Sequence, residues 1–481
     1  MSYTVPLLLN GEEIISSTTI PVTSPVSHKP IWSFSTASSA DADAAVAAAS
    51  AAFPAWSKTK PAARRNILLK AADLLQEREE ELKTHMFEET GAALGFGEFN
   101  VFTAAELIRD AAGRISSIAG SIPICKDEGT SALVLKEPYG VVLAIAPWNA
   151  PYILGVRSVL YPLATGNTCV LKGSELSPRC FYHIGRALTD AGLPPGALNI
   201  IYTARTESPA ITNQLIVAPA IRKINFTGST AVGSAIAAAA GKALKPCLME
   251  LGGKAAAIIL EDADLERAAM QCAIGSFLHA GQICMATERI LVCASVMNAF
   301  RPLLQQAIAR FAPSGGLAPV LVQGPAVTRN QSLVADALAK GAKLLYGDHT
   351  AVEKHPETGE ASTTRMRPVV VEGVTAEMAL YREESFGPSV SLIAVKDEDE
   401  AIAISNESDY GLNSAVFTRD LARGIRVAKR MECGSIHINS MSVHDEAVLP
   451  HGGVKSSGWG RFNAQAGLDE FLQTKTITFQ E

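Results

Sequence analysis

The chain has 481 residues, too many for one hydrophobic core by the usual scaling, so we expect two or more domains. Apolar residues make up 48% of it, and the net charge of −6, with scattered lysines and arginines, argues against a nucleic-acid partner. The first ten residues lack the basic lead of a signal peptide, and no uncharged apolar run is long enough to span a membrane. Composition therefore predicts a cytoplasmic protein with reduced thiols and no membrane partner.

The residue pattern of the amino-terminal part of the chain changes from strand-like to helical after about residue 35. Residues 1–35 are rich in Ser, Thr, Pro and β-branched types, which predicts short strands and turns. Ala40–Ala55 and Ala62–His85 have helical apolar spacing and predict a helical layer over a sheet. The charged run Glu77–Glu81 is then a solvated face of the second helix.

Strands and helices alternate strictly from Val141 onward. This alternation predicts a parallel, doubly wound α/β sheet with ligands at the carboxyl ends of its strands. The predicted strands are Val141–Ala146, Thr168–Lys172, Leu198–Tyr202, Ile221–Thr227 and Leu248–Leu251.

The rest of the chain alternates less regularly. Residues 312–325 and 347–364 carry Gly, Pro and Thr and predict surface loops. Thr130–Lys136 and Thr474–Phe479 alternate like edge strands, and taken alone they predict unpaired edges.

The stretch from Glu250 to Arg289 carries the candidate chemistry. Glu250 stands close before two glycines, and Cys284 follows a Gly-Gln turn where a lowered thiol pKa would make it a nucleophile. Two other interpretations remain: Glu250 pairs with Lys254, although Gly252-Gly253 disfavours a helix there, or Cys284 is a small buried hydrophobe. The second interpretation suits the other cysteines, none of which lies in a CxxC pair, and we predict no metal site. They are Cys125, Cys169, Cys180, Cys247, Cys272, Cys293 and Cys433.

The glutamate and cysteine motifs, 34 residues apart, resemble the paired signatures of the NAD(P)-dependent aldehyde dehydrogenases. The resemblance runs from Asn10 to Phe479. It implies a Rossmann-like cofactor domain, an α/β catalytic domain and a small β module that joins the two edge strands in a homodimer or homotetramer. The implied boundaries are 1–121 and 139–252 for the cofactor domain, 253–447 for the catalytic domain, and 122–138 and 467–481 for the oligomerisation strands.

No GxGxxG fingerprint follows the first strand, but Phe226-Thr227-Gly228-Ser229 ends a strand and opens a helix. A helix amino terminus suits a pyrophosphate, although read alone this is an ordinary turn. Gly228, Ser229 and Gly233 match the family's cofactor turn, which implies that they bind NAD.

Two further motifs are assigned to the cofactor by the resemblance. Lys172 and Glu175 are placed on the adenosine ribose, where a carboxylate favours NAD over NADP. Gly173 stands where the family usually has another residue, and it is expected to loosen the packing of the corner formed by residues 172–175. Glu384 is placed on the nicotinamide ribose and Phe386 beside the ring. A charged surface turn is the alternative for the latter motif.

The resemblance also implies a mechanism. Trp148 belongs to the cofactor site, and the amide of Asn149, with the Cys284 N–H, stabilises the oxyanion formed when Cys284 attacks an aldehyde; preorganised donors supply ~3 to 4 kcal/mol. Hydride then passes to the nicotinamide. Glu250 activates the water that hydrolyses the thioester, so the product is a free acid.

The sequence around these motifs is most like the branch that oxidises aromatic aldehydes such as salicylaldehyde, vanillin and benzaldehyde. Ala150 leaves width near the oxyanion, and Ile283 and Met285 flank the nucleophile with apolar surface. Ile153 and Arg157 follow Asn149 at four-residue steps, so a cation is expected on the substrate tunnel. The alternative for Arg157 is a pair with a structural acid.

His451 stands where the family usually has phenylalanine, and we expect this change to affect loop packing and not chemistry. Two functional alternatives remain: an aliphatic or semialdehyde dehydrogenase, and a dehydrogenase-derived binding or structural protein without activity. Retention of Cys284, Glu250 and Asn149 argues against the second.

Overall fold

The structure is a computed structural model that describes residues 3–310 and 316–480. Within these ranges no helix has the length and apolar character needed to cross a membrane. The strands are β1 Thr4–Val5, β2 Leu7–Leu9, β3 Glu12–Ile14, β4 Thr19–Thr23, β5 Pro30–Ser35, β6 Thr130–Pro138, β7 Val141–Ile145, β8 Thr168–Lys172, β9 Leu198–Ile201, β10 Ile221–Thr227, β11 Cys247–Glu250, β12 Ala255–Ile259, β13 Thr287–Cys293, β14 Lys343–Tyr346, β15 Val369–Glu372, β16 Ser389–Val395, β17 Tyr410–Gly411, β18 Asn413–Phe417, β19 Ser435–Ile438, β20 Val454–Lys455, β21 Gly458–Trp459 and β22 Leu472–Gln480. The helices are α1 Ser39–Trp56, α2 Pro61–Glu77, α3 Glu79–Thr90, α4 Leu94–Arg114, α5 Pro151–Ala164, α6 Pro178–Ala191, α7 Ser208–Val217, α8 Thr230–Lys242, α9 Leu265–Phe277, α10 Ala294–Ala309, α11 Gly324–Ala339, α12 Ala379–Arg382, α13 Glu398–Asn406, α14 Leu421–Ala428 and α15 Ala464–Asp469.

Eight strands form the first sheet, in the order β21-β11-β10-β7-β8-β9-β2-β3. The five central strands, β11 to β9, run parallel, and β21 and β2 pair antiparallel at its flanks. Strands β7 and β8 are buried along their whole length because helices cover the sheet, and α5 packs on both of them. The predicted parallel sheet is confirmed, with strand bounds within one residue of those predicted.

A second sheet of seven strands has the order β14-β15-β16-β13-β12-β18-β19. All of its neighbours are parallel except β14 and β15. Two apolar clusters lie on its strands, one including Ile258 and the other including Ile259, as expected for a strand whose successive side chains point to opposite faces. The α/β character predicted for this half is therefore confirmed.

The two predicted edge strands pair with each other. β22 runs antiparallel to β6 over nine residues, from Leu472 opposite Pro138 to Gln480 opposite Thr130. The expectation from sequence alone, two unpaired edges, is wrong, whereas their joining in one small module, as the resemblance implies, is confirmed. Two partners far apart in the chain leave no local signal of their pairing.

Two other expectations need correction. The helix predicted over Ala62–His85 is two helices, because Arg78 leaves helical geometry (φ −98°, ψ 10°) between α2 and α3, within the run assigned to a solvated face. The loop predicted over 312–325 lies partly outside the described residues, and its last two residues, Gly324 and Pro325, already belong to α11.

The eight cysteines are all free. Cys169, Cys180, Cys272 and Cys293 are buried, as predicted, while Cys125, Cys247 and Cys433 are only half-buried and do not fit the prediction of buried hydrophobes.

A buried ion pair holds the segment before β16. Lys254 Nζ lies 2.5 Å from Glu288 Oε2, and the same carboxylate accepts the backbone N–H groups of Ser385 (2.8 Å) and Phe386 (3.1 Å). Burial lowers the pKa of Lys254, and the charge of Glu288 partly offsets this. Glu288 therefore fixes residues 383–386 against the second sheet.

Replacing Glu288 by alanine should destabilise the protein by ~3 to 5 kcal/mol, because it leaves the Lys254 ammonium buried without its partner. The measurement is denaturant unfolding followed by circular dichroism. Glu383→Ala is the matched control: it breaks a half-exposed pair with Arg329 (3.1 Å) and should cost under ~1 kcal/mol. Equal losses in the two variants would contradict the role assigned to Glu288.

Candidate active site

The carboxyl ends of four parallel strands meet at one edge of the first sheet. Ile145, at the end of β7, lies opposite Lys172 of β8 and Phe226 of β10, and Thr227 lies opposite Glu250 of β11. The residues that follow these positions carry most of the predicted motifs. Parallel pairing therefore gathers segments that are about 100 residues apart in the chain.

The chain crosses from the first sheet to the second through residues 251–254, between β11 and β12. A Cβ on Gly252 would lie 2.7 Å from Glu384 Oε2, and a Cβ on Gly253 would lie 2.2 Å from the Cys284 carbonyl oxygen. Both positions thus require glycine for close packing. Since Cys284 and Glu384 precede β13 and β16, the amino edge of the second sheet meets the carboxyl edge of the first.

A cavity of about 460 Å³ lies at this junction. It brings together all three predicted catalytic residues and five of the predicted cofactor residues. Its wall consists of Pro147, Trp148, Asn149, Leu154, Thr227, Gly228, Ser229, Thr230, Ala231, Glu250, Leu251, Gly252, Cys284, Arg329, Glu384, Phe386 and Tyr410.

Cys284 lies in a turn closed by the Ala286 N–H donating to the Ile283 carbonyl (2.8 Å). Burial raises the pKa of its thiol well above the usual value, and the negative charge of Glu250 raises it further. The expected lowering of this pKa is therefore wrong for the protein without ligands: an apolar site beside a carboxylate disfavours the thiolate. Cys284 rests as a thiol.

Glu250 is 1% exposed, and no nitrogen or hydroxyl donor among the described residues lies within hydrogen-bond distance of its carboxylate oxygens. The alternative of an ion pair with Lys254 is wrong, since the Lys254 ammonium is bound to Glu288. The Cys284 thiol acts as a weak hydrogen-bond donor to Glu250, and this contact contributes to the raised pKa of the thiol. Glu250 and Cys284 line the same cavity.

Asn149 is 4% exposed and lies just before α5. Its side-chain amide donates to the Gln282 carbonyl (3.0 Å), which ties the end of β7 to the turn that holds Cys284. A primary amide has two donor hydrogens, and this bond uses one. The other suits an oxyanion formed at Cys284.

Helix α8 opens directly onto the cavity, with Ser229 as its cap and Thr230 as its first residue. Its free N–H groups and dipole fit an anionic pyrophosphate. A Cβ on Gly228 would lie 2.5 Å from the Phe226 ring, so glycine keeps this turn open for a ligand. Gly233 does not line the cavity; it packs under Leu251, where a Cβ would lie 2.3 Å from Cδ2.

The opposite wall is formed by Glu384 and two aromatic rings. Burial raises the pKa of Glu384 to about 8, and its Oε1 accepts the Gly253 N–H (2.7 Å). The rings of Trp148 and Phe386 meet edge to face at 6.0 Å. A carboxyl group that can donate and accept fits ribose hydroxyls, and the aromatic edge fits a planar ring. Glu383 is exposed and fits the alternative of a charged surface turn, whereas Glu384 and Phe386 are half-buried and line the cavity, which that alternative does not explain.

Lys172 and Glu175 do not line this cavity. Glu175 lines a second one of about 670 Å³, and Lys172 is buried at the end of β8, where burial lowers its pKa and the charge of Glu175 raises it in part. A Cβ on Gly173 would lie 2.8 Å from Tyr202 and 2.9 Å from Phe181. The corner is therefore tightly packed, contrary to the loosening expected from this glycine.

The four apolar residues predicted to contact substrate share one cluster. Ile153 and Ile283 are buried, while Ala150 and Met285 are partly buried, and Val443 belongs to the same cluster. The Ser442 hydroxyl donates to the Met285 carbonyl (2.7 Å), which fixes the loop before Val443 beside the Cys284 turn. None of the four forms part of the described cavity wall, so their contact with substrate stays a prediction.

Arg157 is 2% exposed and its guanidinium pairs with Asp445. Burial alone would lower the pKa of Arg157 and raise that of Asp445, but their mutual attraction reverses both shifts. The structure bears out the alternative of a structural acid, because the charge is balanced within the protein and every residue of α5 is buried.

His451 lies against Glu250, not in a remote loop. Its Nε2 is 3.7 Å from Glu250 Oε1, and its Nδ1 is 3.9 Å from Asp445 Oδ1. The backbone of His451 forms a β-bridge with Phe462. The expectation that this change affects loop packing and not chemistry stays a prediction, although the ring lies beside a predicted catalytic residue.

Sequence reasoning missed other wall residues, including Leu154, Arg329 and Tyr410. The sequence could have indicated Leu154, because it lies one helical turn after the predicted substrate residue Ala150. The Leu154 N–H donates to the Ala150 carbonyl (2.9 Å). Arg329 and Tyr410 lie in α11 and β17, which no motif marks.

One group in the described part of the chain has metal-ligating atoms close together: Glu81, His85 and His183 lie within 4.8 Å of one another. Burial lowers the pKa of His85 to about 4, and the charge of Arg179 adds to this. A neighbouring guanidinium opposes a dication, and none of the three lines the cavity that contains Cys284.

Comparisons with known proteins agree with this arrangement. The model of the aldehyde dehydrogenase family matches residues 14–477. A vanillin dehydrogenase from a Pseudomonas species is 44% identical over 99% of this chain and 98% of its own length, and a salicylaldehyde dehydrogenase from Pseudomonas putida is 40% identical over 95% and 93%. The crystal structure of a Pseudomonas putida salicylaldehyde dehydrogenase complexed with salicylaldehyde superposes with a TM-score of 0.94 at 37% identity, covering 99% of this chain and 98% of that one.

A thiol, a buried carboxylate and an open helix terminus thus meet in one cavity, and the similarity extends over nearly the full length of both chains. The chain belongs to the aldehyde dehydrogenase family and is an NAD(P)-dependent oxidoreductase.

Proposed function

We propose that the protein oxidises an aromatic aldehyde, of the salicylaldehyde or vanillin kind, to the carboxylic acid with NAD as hydride acceptor. One observation supports this reaction. Cys284 and the Glu250 carboxylate, which has no lysine or arginine partner among the described residues, line the same cavity as the amino terminus of α8. The substrate class is supported by relatives named vanillin and salicylaldehyde dehydrogenase at 40% to 44% identity. Ile153, Ile283 and Met285 belong to one hydrophobic cluster, and their apolar side chains are compatible with contact to the aromatic ring of such a substrate.

Each residue has a task in the proposed mechanism. The Cys284 thiol releases its proton to solvent, the resulting thiolate attacks the aldehyde carbon, and the free Asn149 donor stabilises the oxygen that becomes negative. The α8 terminus, Glu384 and Phe386 would hold NAD, which would supply the hydride acceptor for the oxidation of this carbon. The thioester that remains on Cys284 is attacked by water, whose proton Glu250 accepts; the Cys284 sulfur leaves with the electron pair of the broken C–S bond.

We further propose that the protein is a homodimer or homotetramer in the cytoplasm. The two-stranded ribbon of β6 and β22 is the feature that supports the oligomer. Ile477 is 41% exposed and Phe479 is 46% exposed in the single chain, on a two-stranded element that is marginally stable alone. Covering this ribbon with a second copy would remove the exposed apolar surface.

Cys284→Ala should abolish aldehyde oxidation and leave NAD binding intact, because it removes only the nucleophile. Glu250→Gln should give one burst of NADH and then arrest, because the thioester forms without a base to hydrolyse it. Stopped-flow absorbance of NADH measures both, and tryptophan fluorescence measures NAD binding. If Glu250→Gln loses the burst, Glu250 acts before hydride transfer by taking the thiol proton.

Alkylation of Cys284 by iodoacetamide across pH provides a control that needs no cofactor. The negative charge of Glu250 helps to raise the pKa of the thiol, so Glu250→Gln should move the rise in alkylation rate to lower pH. Cys284→Ala gives the background from the other cysteines.

Glu175→Gln should increase the use of NADP relative to NAD, since it removes the negative charge predicted to face the 2′ position. The measurement is the ratio of kcat/KM for the two cofactors. Glu207→Gln, an exposed acid before α7, is the matched control and should leave the ratio unchanged. Wild type using both cofactors equally well would refute the discrimination assigned to Glu175.

Salicylaldehyde, vanillin or benzaldehyde should have a higher kcat/KM than hexanal or acetaldehyde. An apolar slot discriminates by only ~1 to 3 kcal/mol per methylene, so hexanal should retain activity. Initial rates of NADH formation over the five aldehydes test the ranking. A lead by hexanal would favour the aliphatic alternative, and absence of NADH with every aldehyde would refute the proposed reaction.

A further inference from the structure

Two buried polar groups face each other beside Cys284. Glu250 and His451 are 1% and 3% exposed. Among the described residues His451 Nε2 has no hydrogen-bond partner, and the donor that acts on Glu250 is the weak one of the Cys284 thiol. Nε2 and Glu250 Oε1 are 3.7 Å apart, and a movement of about 0.7 Å would bring them to hydrogen-bond distance. A buried carboxylate is stabilised by such a donor.

The other charged groups around Glu250 have partners of their own. The Lys254 ammonium is bound to Glu288, and the Arg157 guanidinium is bound to Asp445. Glu384, whose negative charge also acts on Glu250, accepts the Gly253 N–H (2.7 Å).

A second histidine faces His451 from β19. Burial lowers the pKa of His437 to about 4, and the charges of His444 and His451 add to this shift, so His437 stays neutral at physiological pH. His451 is therefore the group placed to donate to Glu250.

The far side of the His451 ring is fixed by Asp445. His451 Nδ1 is 3.9 Å from Asp445 Oδ1, which also accepts the Asn463 side-chain amide (2.8 Å). The His451 N–H donates to the Phe462 carbonyl (2.9 Å), and the Phe462 N–H donates to the His451 carbonyl (2.8 Å). With a proton on both ring nitrogens, the imidazole can donate to a carboxylate on each side, from Nδ1 towards Asp445 and from Nε2 towards Glu250.

We propose that His451 is a positioning residue for Glu250: its imidazole, which lies between the Asp445 and Glu250 carboxylates, donates from Nε2 to Glu250 and holds that carboxylate aimed at the water that cleaves the thioester. This inference rests on the proposed function. A phenylalanine at position 451 provides no donor, so the histidine gives this chain a control over deacylation that the usual family residue lacks.

The test compares His451→Phe and His451→Gln in the full-length protein with NAD and benzaldehyde. His451→Phe should keep the NADH burst but lower the steady-state rate on the order of tenfold, a part of the ~10²–10⁴ that a general base supplies. His451→Gln retains an amide donor and should restore most of the steady-state rate.

A second readout is the intact mass of protein quenched in acid during turnover. His451→Phe should accumulate the acyl group on Cys284 to a higher fraction than wild type, because its deacylation is slower. A change that only disturbed packing would instead reduce burst amplitude and melting temperature. His444→Phe, on the same loop and paired with the half-exposed Glu446 at 2.8 Å, is the matched control and should match wild type.

The proposal falls if His451→Phe equals wild type in steady-state rate and acyl-enzyme fraction. If His451→Phe does not fold, His451→Gln decides: a folded His451→Gln protein whose deacylation is slowed tenfold or more contradicts the donor role, and one with the deacylation rate of wild type supports it. Absence of NADH from wild type with every aldehyde is a separate outcome that refutes the proposed function and this inference with it.

Discussion

The short crossing between the two sheets is the constraint on which the site depends. Residues 251–254 connect β11 to β12, and Gly252 and Gly253 leave the space that Glu384 and the Cys284 carbonyl occupy. A side chain at either position would push the second sheet away from the first. The cavity, the approach of Cys284 to Glu250 and the position of the cofactor wall all require this close contact, which explains why one chain segment carries so much of the chemistry.

Electrostatics explain how two buried carboxyl groups remain beside the nucleophile. The cations nearest the site are paired with acids that support loops: Lys254 with Glu288, and Arg157 with Asp445. Glu250 and Glu384 are consequently left without a salt bridge to a lysine or arginine among the described residues, and burial raises the pKa of Glu384 to about 8. A carboxyl group with a raised pKa can both donate and accept hydrogen bonds, which suits the ribose partner proposed for Glu384. Glu250 lines the cavity beside the nucleophile, where a base for thioester hydrolysis is needed.

The same pairing changes what can set substrate selectivity in the proposed reaction. The charge of Arg157 is balanced by Asp445 and is not free to meet a substrate group. We propose that selectivity rests instead on apolar side chains, of which Ile153, Ile283 and Met285 are the predicted contacts. Apolar contacts discriminate weakly, so we expect a broad range of aldehydes with a ranked preference. In the proposed arrangement Arg157, Asp445 and His451 act on Glu250 and not on the substrate.

The sequence by itself determined the fold class, the strands β7 to β11 and the identities of Cys284, Glu250 and Asn149, because these depend on local periodicity and on motifs of fixed spacing. It predicted too low a pKa for Cys284 and a free charge on Arg157. Burial, the neighbouring carboxylate and the Asp445 partner decide these properties, and all three arise from segments distant in the chain. Pairing of β6 with β22 is of the same kind: each strand is visible locally, but only the folded chain brings them into register.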